Sequence, residues 1–443
     1  MHSRLTRVAL GAALFFSLGI AAPATEPSTA MLEHGTNGPI TGRLPSGGTY
    51  IVSPSPALPV AAIALWFRAP QTGFETSPTP GIARVAATAV AGSVPITGTP
   101  LGQLVSRAGG RIGIATYPGS VSISAIVPAT SAAQIVRAMT SSFFTPVLTA
   151  AGLQAAQKDV GSEARLHLFA VDDQLQDALQ SELFSDGPAR YPGLPAVDAV
   201  RALTFENVKS FATRAFRPQN AVLVVTGAVD AHIVDSAIPG RTDGAVQETA
   251  LTETPALVPV PVDRAAIGPG FGYGWSGPAI ASDREATALD FVADYLFRPE
   301  TGTVARALAA STTSLNGKFV TYHDPGIFLV TASGGDLPAA RTTILAALAA
   351  MQQPLDAATF ARARDAFVYH IRSDLQTPTA LADTFGWYSV EGNPGYAPGA
   401  GGLEGTYFRD ARSLTPDFVA ATALRYLAKP GATVAFREKA KSS

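Results

Sequence analysis

One internal repeat constrains this chain more than any other feature. LTFENVKSFATRAFRPQNAVLVVTG begins at Leu203 and LTPDFVAATALRYLAKPGATVAFRE begins at Leu414. Both run Leu-Thr-x-acid, then a helical stretch, then a basic residue and proline, then a strand. Pro146 and Pro354 likewise each precede an Ala-rich helical stretch. The two copies lie about 210 residues apart. A solenoid repeats every ~20–50 residues, so this spacing marks a duplicated domain. Two α+β domains of roughly 200 residues, each a sheet with helices packed on it, fit the size of a single core.

Each half alternates strands and helices. Residues 49–54 and 60–68 (VAAIALWFR) are β-rich and punctuated by Pro59 and Pro70. Residues 80–92 have helical composition. RIGIATYP (111–118) and SVSISAIVP (120–128) alternate apolar and polar residues around Pro118-Gly119, the pattern of a hairpin with one buried face. Residues 129–145 and 147–185 read as helices, and 220–229 as a buried strand. The stretch 236–266 is rich in Pro, Thr and Gly without helical period and reads as an extended linker. Beyond it the order recurs. GFGYGW (270–275) is strand-like, 283–297 helical, and KFVTYH (318–323) with GIFLVTAS (326–333) forms a second hairpin. Helices follow at 336–352 and 356–376, then a glycine- and proline-rich loop at 391–405.

The first residues read as an address. His2, Arg4 and Arg7 precede an uncharged apolar run at 8–22, and Ala22-Pro23-Ala24 offers small residues for a cut after Ala24. That is the pattern of a secretory signal peptide. The alternative is an uncleaved anchor, for which the run is short, since a span needs ~20 residues. The expected organisation is a signal peptide at 1–24, an extension at 25–37, a first domain at 38–235, the linker at 236–266, a second domain at 267–438 and a tail at 439–443. The mature chain is expected in a bacterial periplasm or outside the cell, with no membrane span after signal cleavage.

Composition removes several functions. The formal net charge is −2, so there is no basic excess to neutralise phosphates, and nucleic acid is not an expected partner. There are no cysteines, which excludes disulfides, thiolate metal sites and cysteine nucleophiles. The six histidines are His2, His34, His167, His232, His323 and His370; no two are three or four apart. No helix can therefore present a two-histidine zinc face.

The segment RLPSGGTYIVSPSPALPVAAIALWFRAPQTGFETSPTPGIARVAATAVAG (43–92) resembles the opening of the pitrilysin/insulinase metallopeptidase family, which includes mitochondrial processing peptidase. The resemblance extends through the LTxE–helix–RPxN–strand ending of the first half and its repeat in the second. It implies two homologous α/β domains forming half of a clam-shaped chamber around an extended peptide. In that family two histidines at i and i+4 on one helix bind zinc. The glutamate between them deprotonates the metal-bound water, and a glutamate some 75 residues later completes the shell.

This chain departs from that pattern. Arg84 stands at the first histidine, Ala87 at the base and Thr88 at the second histidine. Arginine stays charged in proteins and repels a divalent cation. Only the distal ligand position, Glu163, keeps its residue type. The resemblance also implies an Arg-x-x-x-Tyr pair in the second domain that polarises the substrate carbonyl. Thr312 falls at the arginine and Asn316 at the tyrosine; Arg306 or Tyr322 would substitute only after a shift of register.

Weaker signals have plain alternatives. Glu163 and His167 are i,i+4, either two metal ligands awaiting others or a local surface pair, and two ligands make a poor zinc site. Gly272-Tyr273-Gly274-Trp275-Ser276-Gly277 matches G-x-G-x-x-G, but Pro278 follows and no helix opens there, so a glycine-rich strand is the preferred reading. Trp66, Trp275 and Trp387 either line a peptide groove or pack in the core, the commoner role. Trp387-Tyr388 beside the loop 391–405 is the pair expected to be exposed, and that loop is either a gate or a tolerated insertion. Asp172-Asp173 and the acidic residues of 182–186 read as a solvated face.

The expected function is that of a catalytically degenerate subunit, pairing with a homologue that carries an intact HxxEH motif to close a peptide-degrading or processing chamber. No cofactor is expected of its own; zinc would come only through the partner. Extended peptides would add to its sheet edges. The alternatives are a peptide-binding or scaffold protein without proteolysis, and an active metallopeptidase with a non-standard zinc site.

Overall fold

A computed structural model describes residues 38–69, 79–94, 98–191, 194, 196–238, 240, 254–255, 262–266, 268–311 and 313–438. The expected signal peptide, extension and tail, most of the linker, and Thr312 lie outside these residues. Among the described residues no helix is long and apolar enough to cross a membrane.

The first half holds strands β1 (Ile40–Arg43), β2 (Thr49–Pro54), β3 (Val60–Arg68), β4 (Arg111–Thr116), β5 (Ser120–Pro128) and β7 (Ala221–Gly227) in one sheet. Their order is β1-β2-β7-β3-β5-β4, with β2 and β7 parallel and every other neighbour antiparallel. A short β6 (Phe184–Asp186) pairs with β8 (Thr254–Pro255) outside it. The second half holds β9 (Val262–Ala266), β10 (Gly270–Ser276), β11 (Ser314–Val320), β12 (Ile327–Ser333) and β14 (Ala432–Glu438). Their order is β11-β12-β10-β14-β9, again with one parallel pair, β14 with β9. Apart from β1 the two sheets therefore share one topology, with β9 in the place of β2. Residues 262–266, placed in the linker by sequence, are thus a strand of the second sheet. Their short, proline-flanked run carries too few alternations to register as one.

The helical hairpins are duplicated as closely. Helices α4 (Ala150–His167) and α11 (Ala357–Asp374) each have 18 residues, and α5 (Val171–Leu183) and α12 (Pro378–Val390) each have 13. The repeated Leu-Thr-x-acid motif is a helix start. Thr204 accepts from Asn207 N at the start of α7 (Phe205–Ala215), and Thr415 accepts from Phe418 N at the start of α14 (Pro416–Leu427). Each side chain satisfies an amide that the helix itself leaves unpaired.

Alternation along the central strands explains how the halves join. In β3, Ala61, Ile63, Leu65 and Phe67 point into a layer formed by α1 (Ile82–Gly92), α2 (Leu101–Arg107), α3 (Ala132–Phe144), α4 and α7. Ala62, Ala64 and Trp66 point the other way, and these too are buried. A strand apolar on both faces needs cover on both. The second cover is α12, from the other half, whose Leu381 and Phe385 share a core with Trp66 and Val222. Gly386 is required there, because a Cβ at that position would lie 1.9 Å from Trp66 Nε1.

The second sheet is treated reciprocally. Phe271, Tyr273 and Trp275 of β10 face a layer that includes α8 (Asp283–Phe297), α9 (Thr303–Leu308), α10 (Leu337–Ala350), α11 and α14. Gly270 and Gly272 face α5, from the first half. A Cβ on Gly272 would come within 2.7 Å of Leu179 Cδ1, and one on Gly270 within 2.9 Å of Leu175 Cδ1. The G-x-G-x-x-G stretch is therefore a strand whose glycines let an exchanged helix sit close. Each domain thus lends one helix to the open face of the other's sheet.

Candidate functional site

Helix α1 is the one on which the resemblance places the zinc motif. Gly81, at φ 79°, turns the chain into it, and nine of its eleven residues are buried. Ala87 is fully buried in the first core, and Thr88 donates its hydroxyl back to the Arg84 carbonyl at 2.8 Å. Arg84 crosses to α4. Its Nε and Nη2 donate to Glu163 Oε2 at 3.1 and 2.9 Å, and Nη2 also reaches Oε1 at 3.0 Å. Arg84 is 8% exposed. Its Nη1 is buried with no partner among the described residues. The ion pair joins the first ligand position to the distal one and uses both carboxylate oxygens. These residues do not fit zinc: they offer one carboxylate, already engaged, and a fixed positive charge where the metal's would be. Among the described residues no group of three or more histidines and carboxylates is arranged to hold a metal ion.

Glu163 and His167 are thus not a pair with each other. His167 Nε2 lies 2.6 Å from Asp177 Oδ2, and its Nδ1 lies 3.7 Å from Asp173 Oδ2. Burial disfavours the imidazolium, but the hydrogen bond to Asp177 and the charges of Asp177 and Asp173 outweigh it and raise the His167 pKa. Burial raises Asp173 as well, opposed by His167. Asp172, next to them, accepts from Ser314 at 2.6 Å across the domain boundary. The solvated acidic face expected at Asp172-Asp173 is instead part of the seam between the halves. The i,i+4 spacing of Asp173 and Asp177 was the signal available for it.

On the other side of the seam stands β11. It begins at Ser314, earlier than expected, and ends at Val320. Residues 321–323 belong to the turn, because Tyr322 O accepts from Ile280 N and His323 N donates to Glu391. Asn316, opposite Thr331 on β12, is half-buried. Arg306 sits exposed at the end of α9. Tyr322 packs on Trp387 with ring centroids 5.4 Å apart. Tyr117, from the β4–β5 turn, packs on Trp387 at 4.9 Å and stacks on Trp66 at 5.8 Å. Burial raises the Tyr117 pKa, Asp383 of α12 raises it further, and Arg84 opposes them.

The exposure expected of Trp387 and Tyr388 is not found. Trp387 and Tyr388 are each 7% exposed, because α12 is wedged between the domains, and Trp387 Nε1 donates to Thr321 O at 2.9 Å. The loop 391–405 is anchored at its middle, where Tyr396, Ala397 and Pro398 are buried, while Gly401, Leu403 and Glu404 are exposed. Tyr396 bonds to Thr287 and Asp410, Asn393 to Asp283, and residues 400–403 form the short strand β13 (Ala400–Leu403). Trp66 and Trp275 are core residues, the commoner of the two roles weighed for them.

A family model described as the Peptidase M16 inactive domain matches residues 202–367. No curated protein matches the chain. Among solved structures, a protease from Helicobacter pylori is 15% identical with a TM-score of 0.75, over 90% of this chain and 99% of that one. A putative M16-like peptidase from Alicyclobacillus acidocaldarius is 17% identical with a TM-score of 0.72, over 92% and 100%. A chain of complex III2 from Candida albicans, Inz-5 bound, is 14% identical with a TM-score of 0.72, over 89% and 94%. Fold and site together define a duplicated α+β chain, consistent with half of a clam-shaped chamber, with an Arg84–Glu163 ion pair at the two positions where the resemblance would place zinc ligands. Residues 202–367 are similar to the inactive domain of M16 peptidases, and the fold of the whole chain is similar to that of M16-like peptidase chains.

Proposed function

We propose that this chain is the non-catalytic half of a peptide-handling chamber, closed by a homologous subunit with an intact HxxEH motif, in the periplasm. The Arg84–Glu163 ion pair carries the reading. It leaves the fold complete while replacing the metal's charge by a covalently fixed one, so hydrolysis would need zinc from elsewhere. Strands β4 and β11, which end their sheets, offer backbone donors and acceptors to an extended peptide. The apolar run at 8–22 supports export.

A second reading, a scaffold without any peptidase partner, is favoured by the likeness to a chain of complex III2. Purification of the tagged mature chain from its native exported fraction tests both. Recovery of an equimolar HxxEH homologue, with peptide cleavage that needs both chains, is the expected result. Recovery alone or with unrelated proteins would sink the split-peptidase reading and leave the scaffold.

A further inference from the structure

Lys318 lies on β11 in phase with Ser314 and Asn316, so all three side chains share one face. Ser314 fixes which face that is, because it bonds to Asp172 of the first half. Gly317, out of phase, faces Phe297 of α8 instead. Lys318 therefore projects into a cavity between the halves, whose lining includes Tyr117, Tyr191, Tyr322, His167 and Gln180. Its ammonium carries three donors, and among the described residues none has a hydrogen-bond acceptor. Burial pushes its pKa down to about 8, against the opposing charges of Asp173 and Asp177. Those two carboxylates flank His167, at 3.7 and 2.6 Å. The wall behind is rigid: Tyr117 and Tyr322 pack on Trp387, which is pinned through its indole nitrogen to Thr321 O.

We propose that this cavity is a carboxylate-binding site centred on Lys318 and that it takes the C-terminal carboxylate of a short peptide. A desolvated ammonium with no acceptor is completed by an anionic oxygen, and such a charge-assisted bond is among the stronger ones. With His167 protonated, the two carboxylates, the imidazolium and the ammonium sum to zero. An incoming anion finds one cation with no hydrogen-bond acceptor among the described residues, and the neighbouring Asp172 carboxylate is held by Ser314 Oγ. An amine would find Asp173 and Asp177 already flanking His167. The aromatic wall suits the apolar part of the residue that bears the carboxylate. The site is built from this chain alone and does not need the heterodimer proposed above, while its assignment to a peptide rests on the peptide-handling reading.

The full chain has six lysines, so reductive ¹³C-methylation gives a small set of resonances in which Lys318→Gln identifies its own. The probes are N-acetyl-trialanine, its C-terminal amide, and N-acetyl-Ala-Glu-Ala amide, with affinities read by calorimetry on the unmethylated chain. The free acid is expected to shift the Lys318 resonance and to bind about tenfold or more tightly than its amide. That preference should vanish in Lys318→Gln and persist, weakened, in Lys318→Arg. Equal binding of acid and amide, or no binding of either, overturns the site. Equal or tighter binding of the glutamate peptide overturns the assignment to a peptide C-terminus. The acid-against-amide comparison needs no variant, so a misfolded substitution cannot decide it.

Discussion

Arg84 and Glu163, 79 positions apart in sequence, meet through two guanidinium nitrogens and both carboxylate oxygens at 2.9–3.1 Å. The two sides of this pair are not equally placed. The Arg84 side chain is 10% exposed and that of Glu163 43%. Removing the carboxylate strands a buried charge, whereas removing the arginine leaves a carboxylate that water can reach. Glu163→Gln should therefore cost about 2–4 kcal/mol, and Arg84→Met less than about 1 kcal/mol. Urea unfolding of the two variants measures both. Equal costs, or the reverse order, would mean that the pair is not held as described.

The same geometry states what a metal would need. Arg84→His with Thr88→His would place two imidazoles at i,i+4 on α1 and release Glu163 as a third ligand. Zinc should then bind stoichiometrically to the double variant, with micromolar affinity or better as a rough expectation for three protein ligands, and not to the single ones. Equilibrium dialysis with metal analysis checks this. A double variant that folds but retains no zinc would show that α1 and α4 are not in ligand register. Peptidase activity is not expected from it, because Ala87, at the position of the base, is sealed in the core.

A buried carboxyl elsewhere in the chain controls stability against pH. Glu391, at the end of α12, is fully buried; Oε2 accepts from His323 N at 2.9 Å and Oε1 has no partner among the described residues. Burial pushes its pKa up to about 8, the bond from His323 opposing. A carboxyl whose pKa is raised on folding favours the folded state while protonated. Its contribution is complete below the unfolded value and is lost as pH rises from about 4.5 to about 8. Asp290, raised to about 7 by burial against the hydrogen bond from Tyr407, acts in the same direction over the lower part of that range. Glu391→Gln should flatten the decline between pH 5 and pH 8 by roughly 2–4 kcal/mol while leaving stability at pH 4 nearly unchanged. Chemical denaturation at a series of pH values reads the slope; an unchanged slope would place the ionised form comfortably in that pocket.

How far the sequence could be read follows from the range of the interactions involved. The duplication, the hairpins and α8 were legible because caps, alternation and turn residues act over a few positions. That Arg84, Ala87 and Thr88 cannot make a two-histidine zinc face was legible because residue identity alone decides it. The partner chosen by Arg84 was not, since Glu163 is remote in sequence and a retained glutamate looks the same paired or free. The exchange of α5 and α12 was hidden for the same reason. Trp387 and Tyr388 sit beside glycines and prolines that locally suggest exposure, and only the second face of β3 reveals that they must be covered. The glycines at 270, 272 and 274 were the one local trace of an approaching helix, and they were equally compatible with a bare glycine-rich strand.

That exchange has a consequence for folding. Without α12, the first sheet would expose Ala62, Ala64, Trp66, Val222 and Val224, all now buried. Without α5, the second would expose Ile327, Leu329, Val434 and Phe436. Burying a large apolar side chain contributes ~1.5–3 kcal/mol, so each half alone would forfeit a large share of a stability that totals only ~5–15 kcal/mol. Residues 38–240 and 254–438 produced separately should each bind a hydrophobic dye and give poorly dispersed amide spectra. Mixing or co-expressing them should restore dispersion with one-to-one stoichiometry. A first half that is folded and monomeric by itself would show that the helix from the second half is not what completes its core.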